Sequence, residues 1–304
     1  MVFSKALSLS TVGLLGLSGV LAVPARRQFN KPVNGDSTTP SGPVPGSAIK
    51  DLQDFVAFAG AAYGAPSDIQ SWSCTECQQV SALQNIQVFQ DTNNNLEQAY
   101  IGVDSNRQTI VVSFRGTIRT LEDWLNDLDI TLVNDNYLSD GALICQGFQT
   151  AYDTVRSGIQ EALPNYVNQF PGFTITFMGH SLGGAVATLA AADAAKNFLT
   201  SFSASNMYLV TFGSPRVGNP SFASFFNSIG LGDIWRSANF ADIVGQVPPA
   251  ALGYEHVAVS SVGLDEGSNP PDAQFCGGDP SSECDFTGTV EPATQHLNYY
   301  DRAL

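Results

Sequence analysis

The chain has 304 residues, of which 43% are hydrophobic, enough to bury the core of one large domain. It has 13 basic and 28 acidic residues, so its formal net charge is −15. An acidic chain repels phosphate backbones, and this balance argues against nucleic acid as a partner.

The N-terminal residues have the pattern of a secretory signal peptide. Lys5 precedes an apolar run, residues 6–23, that reaches small residues around Ala22. We expect a signal peptide over residues 1–22 and a pro-segment or linker over 23–46. A membrane anchor is the alternative, but the run is short, contains glycines and precedes a polar linker. Without residues 1–31, nine basic residues stand against 28 acidic ones, a formal net charge of −19 on a secreted, extracellular protein.

Five cysteines follow the signal peptide, and in a secreted protein they favour disulfides over metal ligands. Cys276 and Cys284 flank a polar loop and are the expected pair. Cys74 and Cys77 form a C-x-x-C that is able to close a small loop, which leaves Cys145 as the odd thiol. The sequence predicts neither a metal site nor a cofactor.

Strand and helix patterns alternate from about Ser47 to the C-terminus. Apolar residues at helical spacing predict a first helix that begins near Ser47. Further helices are predicted at 120–129, 148–170 and 185–193, and strands at 86–89, 99–103, 109–114, 173–178, 206–212, 234–239 and 254–259. This alternation predicts an α/β fold with a mostly parallel central sheet in a single domain, residues 47–304.

One stretch has the pattern of a nucleophile elbow. The apolar run 173–178 precedes Gly179-His-Ser-Leu-Gly-Gly184, and an alanine-rich run follows. So tight a turn strains the serine backbone, and the residues two before and two after Ser181 must lack a Cβ. Gly179 and Gly183 meet this demand. The alternative is an ordinary serine in a glycine-rich turn, but strand, elbow and helix stand in the required order.

A serine nucleophile requires a general base, and hydrolases with this elbow place an acid and then a histidine after the serine. The chain has three histidines. His180 lies inside the elbow, where its side chain is expected to point away from the Ser181 hydroxyl. His256 lies in the predicted strand 254–259 and favours a structural role. His296 lies late in the chain, after a loop, and is the better candidate for the base.

The candidate acid is Asp242, which follows the predicted strand 234–239 and opens a loop that ends in two prolines. Three other aspartates are more simply interpreted as solvated residues of helices or turns: Asp153, Asp193 and Asp233.

Several motifs together resemble one family. They are Ser113–Thr117, Gly179–Gly184, Thr211–Gly218, Asp242–Val244 with Pro248–Pro249, Gly253–His256 and Gln295–Tyr299. In this order they resemble the fungal class 3 lipases of the α/β-hydrolase fold, a group of triacylglycerol lipases and related feruloyl esterases. The resemblance runs from about Ser47 to the C-terminus. It departs from the family at Gly245, where a proline is common.

The resemblance implies a catalytic triad of Ser181, Asp242 and His296. It also assigns an oxyanion hole to two residues. Leu182 would supply a backbone N–H from the start of the helix, and Thr117 would supply a second N–H together with its hydroxyl. A threonine that caps the following helix is compatible with the same position.

Residues 120–129 predict a short helix with one apolar face, formed by Leu121, Trp124, Leu125 and Leu128. Such a face indicates either a fixed core helix or, from its place in the family pattern, a lid that opens at a lipid surface. Family position also places three residues along an acyl-binding groove: Val247, Leu252 and Leu297.

These features predict a secreted serine carboxylester hydrolase, a triacylglycerol lipase that works through an acyl-enzyme. Its partner is then an ester substrate or a lipid–water interface, and no obligate protein partner is evident. A feruloyl esterase or other carboxylesterase is the alternative within the family. A catalytically idle lipid-binding protein is the alternative outside enzymes, but every catalytic position is filled.

Overall fold

A computed structural model describes residues 42–91, 97–118, 120–135, 137–138, 141–239, 242–258, 261–265, 272–276 and 296–304. The strands are β1 (Gly42–Pro43), β2 (Gln84–Gln90), β3 (Gln98–Asp104), β4 (Thr109–Phe114), β5 (Leu132–Asn134), β6 (Leu143–Cys145), β7 (Thr174–His180), β8 (Met207–Phe212), β9 (Asp233–Asn239), β10 (Ser261–Asp265), β11 (Asp272–Cys276), β12 (Asn298–Tyr299) and β13 (Arg302–Ala303). The helices are α1 (Gly46–Ala61), α2 (Pro66–Gln70), α3 (Leu121–Asp127), α4 (Gln146–Gln169), α5 (Leu182–Asp193) and α6 (Pro220–Ser228). None of the helices in the described part of the chain is long and apolar enough to cross a membrane.

One nine-stranded sheet organises these elements, in the order β1-β11-β10-β9-β8-β7-β4-β3-β2. Its middle strands β4, β7, β8, β9 and β10 are parallel, and the strands at both sides are antiparallel. This confirms the predicted α/β class with a mostly parallel sheet. The carboxyl ends of the parallel strands share one edge, so the loops after β4, β7 and β9 meet there.

Both faces of the sheet are buried, because helices cover each of them. Side chains alternate along β4, so that Ile110 and Val112 face the core formed with α4 and α5, whereas Val111 faces the core formed with α1. A strand buried on both faces must be apolar throughout, as the run 109–114 is. The same reasoning explains why β3, β4, β7, β8 and β9 were recognisable in the sequence.

The prediction of a strand at 254–259 is wrong. Among its described residues, 254–258, only Glu255 forms a β-bridge, with Gly218. The Ala258 N–H donates to the side chain of Asn227 at 2.9 Å, and Ala258 has a φ of 64°, in the left-handed region. This backbone conformation ends the extended run. Conversely, β10 and β11 were not predicted, and they extend the sheet beyond β9.

The described residues include the predicted domain boundary and the side chains of three of the five cysteines whose pairing the sequence leaves open: Cys74, Cys77 and Cys145. The short strand β1 pairs with β11 ahead of the boundary predicted near Ser47, and α1 begins at Gly46. Cys74 and Cys77 form a disulfide, and Cys145 is a buried free thiol. The predicted Cys276–Cys284 bridge and the signal peptide lie outside what the structure describes and stay predictions.

Asp193 is buried, contrary to the prediction that it is solvated. Its side chain is fully enclosed at the end of α5. It accepts hydrogen bonds from the Tyr152 hydroxyl at 2.7 Å, from Arg156 Nε at 2.7 Å and from Asn197 Nδ2 at 2.6 Å. These donors join α4 to α5, and a carboxylate without them would be costly to bury.

We expect Asp193→Ala to lower the free energy of unfolding by about 3–5 kcal/mol, because it leaves the guanidinium of Arg156 without its carboxylate. Asp153→Ala is the matched control, since this exposed carboxylate on α4 accepts a surface bond from Tyr137, and the control should cost less than about 1 kcal/mol. Urea unfolding of both variants measures the difference. Equal losses would show that the buried network contributes no more than a surface contact.

Candidate active site

The strained turn at Ser181 joins β7 to α5. Ser181 has φ 59° and ψ −132°, a conformation that an L-residue adopts only when its surroundings enforce it. A Cβ on Gly179 would collide with the Gly183 carbonyl, and a Cβ on Gly183 would collide with the Phe114 carbonyl at the end of β4. The two glycines therefore allow the helix to approach the strands closely, as the sequence pattern requires.

The Ser181 hydroxyl lies at the wall of a cavity. Ser181 is 1% exposed, and its Oγ has no hydrogen-bond partner among the described residues. The cavity measures about 520 Å³ and also contacts His296 and the start of α3. A buried hydroxyl without a partner is unusual, and it leaves Oγ available to a group that enters the cavity.

Asp242 and His296 form a buried pair at the same edge of the sheet. His296 Nδ1 lies 2.7 Å from Asp242 Oδ2. Asp242 Oδ2 also accepts from the Tyr299 hydroxyl at 2.7 Å, and Oδ1 accepts from the Val244 N–H at 2.8 Å. Burial alone would raise the pKa of Asp242, but these hydrogen bonds outweigh it and lower the pKa below its ordinary value. Asp242 is therefore an anion beside the imidazole.

His180 borders the same cavity as Ser181 and contacts the backbone of His296. That its side chain points away from the Ser181 hydroxyl stays a prediction. Its Nε2 lies 2.7 Å from the His296 carbonyl oxygen, and its Nδ1 lies 2.8 Å from the Tyr63 hydroxyl. Burial, together with the neighbouring His296, lowers the pKa of His180 to about 3. His180 is consequently neutral at ordinary pH.

The two residues predicted to form the oxyanion hole are near the serine, one next to it in the chain and one along its cavity. Leu182 is the first residue of α5, where the backbone N–H has no acceptor within the helix. Thr117 follows β4 and contacts the cavity that holds Ser181. The oxyanion-hole roles of the two residues stay predictions.

Helix α3 lies over the site with its apolar face inward. Thr120 caps it by accepting the Asp123 N–H, so the helix begins one residue later than predicted. Trp124 is 6% exposed and belongs to the main core, and Leu121 and Leu125 are half-buried against the same core. Trp124 also contacts a second cavity of about 400 Å³ that Thr117 and Leu182 share.

The three predicted acyl-groove residues lie in different environments. Leu297 is 44% exposed and contacts the cavity of Ser181. Val247 packs against the main core, and Leu252 is 55% exposed on a short turn. Leu297 is thus the one of the three that the structure places beside Ser181, and the groove role of all three stays a prediction.

His256 lies beneath the loop that carries Asp242. It is 3% exposed, and its Nε2 lies 2.8 Å from the Gly245 carbonyl. Burial lowers the pKa of His256 well below its ordinary value of 6.5, and the positive charges of Arg236 and Arg216 lower it further. This arrangement agrees with the structural role inferred for His256. The loop forms this contact with His256 although residue 245 is a glycine, where a proline is common in the family.

Two residues of the site were not singled out from the sequence. Tyr299 stands in a recognised motif, three residues after His296, but nothing local indicates that its hydroxyl reaches Asp242. Tyr63 lies 117 residues before His180, and no sequence pattern links them. Among the described residues, no group of three or more His, Cys, Asp or Glu side chains is placed to hold a metal ion.

We expect the contribution of His256 to stability to disappear in mild acid. Because its folded pKa lies below its unfolded one, the unfolded chain binds a proton that the folded protein excludes once the pH falls below 6.5. Wild type should therefore exceed His256→Gln in unfolding free energy at about pH 8, and the difference should shrink by about 1.4 kcal/mol per pH unit below about pH 6.5. Urea unfolding at three pH values measures it. Parallel pH curves would contradict a neutral buried His256.

Comparison with known proteins agrees with this geometry. A family model described as Lipase (class 3) matches residues 111–252. The chain is 32% identical to a lipase of Rhizomucor miehei over 238 residues, which cover 76% of this chain but only 62% of that protein. It is 30% identical to a lipase of Rhizopus niveus, covering 88% of this chain and 68% of that one.

It is also 30% identical to a secreted mono- and diacylglycerol lipase A of Penicillium cyclopium, covering 70% of this chain and 69% of that one. The solved structure of a triacylglycerol lipase with a serine protease triad superposes with a TM-score of 0.77 at 28% identity, over 87% of this chain and 98% of that one. The chain therefore has the α/β-hydrolase fold that it shares with fungal lipases. The chain belongs to the class 3 lipase family.

Proposed function

We propose that the protein is a secreted serine carboxylester hydrolase that cleaves acylglycerol esters. One observation carries this proposal: an unpartnered serine hydroxyl shares a cavity with a histidine whose other side is bound to a buried carboxylate. A serine, a base and an acid that orients the base are the parts of a nucleophilic acyl-transfer site.

In the proposed reaction, the Ser181 hydroxyl attacks the ester carbonyl carbon while His296 Nε2 accepts its proton. Asp242 holds the Nδ1–H of His296, fixes the tautomer that leaves Nε2 free to accept, and stabilises the imidazolium. The imidazolium then gives its proton to the departing alcohol. Water attacks the acyl-enzyme by the same route and releases the fatty acid.

In the proposed reaction, the ester carbonyl oxygen that gains negative charge would lie beside the start of α5. The Leu182 N–H and the positive end of the helix macrodipole face that side of the serine, and the Thr117 N–H is the second proposed donor. Donors fixed by the fold require no reorganisation when the charge appears, and this lowers the barrier.

Acylglycerols are favoured over small polar esters because of the surface around the cavity. The inner face of α3 is apolar and Ile118 and Leu297, at the cavity, are 58% and 44% exposed. Exposing a large aromatic side chain adds roughly 150–250 Å² of surface, so turning Trp124 into water costs about 4–6 kcal/mol at about 25 cal/mol per Å². A lipid surface removes this cost and would favour an open form.

Secretion is part of the proposal. It is supported by the signal-peptide pattern of residues 1–22, by a disulfide between Cys74 and Cys77, and by a relative named as secreted. Hydrolysis of feruloyl or other carboxylic esters is the competing activity within the family, and methyl ferulate serves as its probe.

Ser181→Ala should reduce kcat on a soluble short-chain ester by roughly 10⁴- to 10⁶-fold and abolish labelling by a serine-directed phosphonate, because the nucleophile is removed. The melting temperature should be nearly unchanged. Ser113→Ala is the matched control, since Ser113 is a buried serine in β4 whose hydroxyl bonds to the Phe58 carbonyl. Activity within about tenfold of wild type, only about 1.4 kcal/mol in the barrier, would exclude Ser181 as the nucleophile.

Trp124→Ser tests α3 as a lid. If Trp124 meets lipid in an open form, the variant should bind triacylglycerol emulsions more weakly and hydrolyse them more slowly, while its activity on a soluble short-chain ester changes little or rises. Asn126→Ser, on the exposed face of the same helix, is the control and should behave as wild type.

Equal losses on soluble and emulsified esters, with a lower melting temperature, would mean that α3 is a fixed core helix. The protein would then be an ordinary secreted esterase. A preference for methyl ferulate over acylglycerols would assign it to the feruloyl esterases of the family.

A further inference from the structure

A chain of hydrogen bonds runs behind the proposed triad. Tyr63, two residues after the end of α1, places its hydroxyl 2.8 Å from Nδ1 of His180. Nε2 of His180 lies 2.7 Å from the carbonyl oxygen of His296. The rings of His180 and His296 also pack together, with centroids 4.4 Å apart.

The chemistry of the end groups fixes the direction of each bond. A carbonyl oxygen only accepts, so Nε2 of His180 must carry the proton and donate to His296. In the neutral ring Nδ1 is then an acceptor, and the Tyr63 hydroxyl donates to it. The hydroxyl oxygen in turn accepts from the Gly116 N–H. Each donor and acceptor along the path is paired, from Gly116 to His296.

This path joins the three parts of the site. Gly116 precedes Thr117 in the loop of the oxyanion hole, His180 precedes the nucleophile Ser181, and His296 is the base. Gly116 lacks a Cβ where one would collide with both Tyr63 and the His180 backbone, so the oxyanion loop is in direct contact with Tyr63 and with the elbow.

We propose that Tyr63 and His180 are positioning residues, whose hydrogen-bond chain fixes the backbone of His296 relative to the nucleophile and the oxyanion loop. This inference rests on the proposed function, because it concerns the alignment of the same base. Neither residue needs to touch the reacting atoms. Reaction rates depend steeply on such alignment, and a displacement of about 1 Å has been associated with losses of about 100-fold.

The neutral state of His180 is part of the arrangement. His296 becomes an imidazolium during the proposed reaction, and a second positive charge on the ring packed against it would oppose that step. A tyrosine hydroxyl that donates to Nδ1 requires the uncharged ring of His180, because Nδ1 carries a proton in the charged ring, whereas Nε2 donates to the carbonyl in either form. The pair therefore supports the geometry of His296 without competing with it for a proton.

The test compares four variants by kcat and KM on a soluble short-chain ester. Tyr63→Phe and His180→Leu should lower kcat by about 10- to 100-fold with KM changed less than about twofold, because alignment and not binding is lost. His180→Gln keeps an amide able to donate to the His296 carbonyl and should recover most of the rate. Tyr100→Phe is the matched control, since this buried tyrosine donates one bond to the Phe58 carbonyl at 2.7 Å away from the site, and its kcat should be unchanged.

A second measurement does not depend on turnover. Nitrogen-15 NMR of the ring nitrogens, in a Ser181→Ala background, should show His180 as the neutral Nε2–H tautomer, and Tyr63→Phe should shift the ring signals of His296. The inference would be overturned if Tyr63→Phe and His180→Leu both kept full kcat. It would also be overturned if the control Tyr100→Phe lost as much kcat as they do. A wild-type protein inert to esters and phosphonate would instead overturn the proposed function, whereas the tautomer and the coupling to His296 would still be observable.

Discussion

The strained backbone at Ser181 is the constraint on which the rest of the structure depends. A positive φ at a serine costs about 1–3 kcal/mol and persists only where the surroundings enforce it. Here the enforcement comes from β7 and α5, both buried throughout, and from the contact between Gly183 and the end of β4. The strain has a consequence for the site, because it turns the serine hydroxyl out of the sheet and into a cavity. It also brings the first N–H groups of α5 to the same point.

The remaining parts of the site follow from the parallel sheet. Thr117 follows β4, Ser181 follows β7 and Asp242 follows β9, and the carboxyl ends of these strands lie at one edge. His296 comes from a segment outside the sheet and has to be fixed by its contacts. Its side chain is bound to Asp242, and its carbonyl is bound to His180. The base is thus held at two points, one for the ring and one for the backbone.

Local patterns in the sequence were sufficient to predict most of the central helices and strands. They were insufficient to predict the contacts between polar groups that lie far apart in the chain. The strand 109–114 was recognisable because both of its faces are buried, and the elbow because its glycines are required by sterics. The extended pattern of 254–259 failed because its backbone bonds to a loop and to a side chain. Asp193 was misjudged because a carboxylate at a helix end has the same sequence signature whether water or Arg156 satisfies it. The link from Tyr63 to His296 has no local signature, since its members are brought together only by the completed fold.

The three histidines illustrate how one fold assigns different chemistry to the same side chain. His180 and His256 are both buried with Nε2 facing a backbone carbonyl, and burial holds the pKa of each below its ordinary value. His296 is equally buried, but its Nδ1 faces the carboxylate of Asp242. Burial therefore favours the neutral form of the two rings whose partner is a carbonyl, whereas the ring of His296 is oriented by a carboxylate. The proposed base is distinguished from the other two histidines by its partner and not by its exposure.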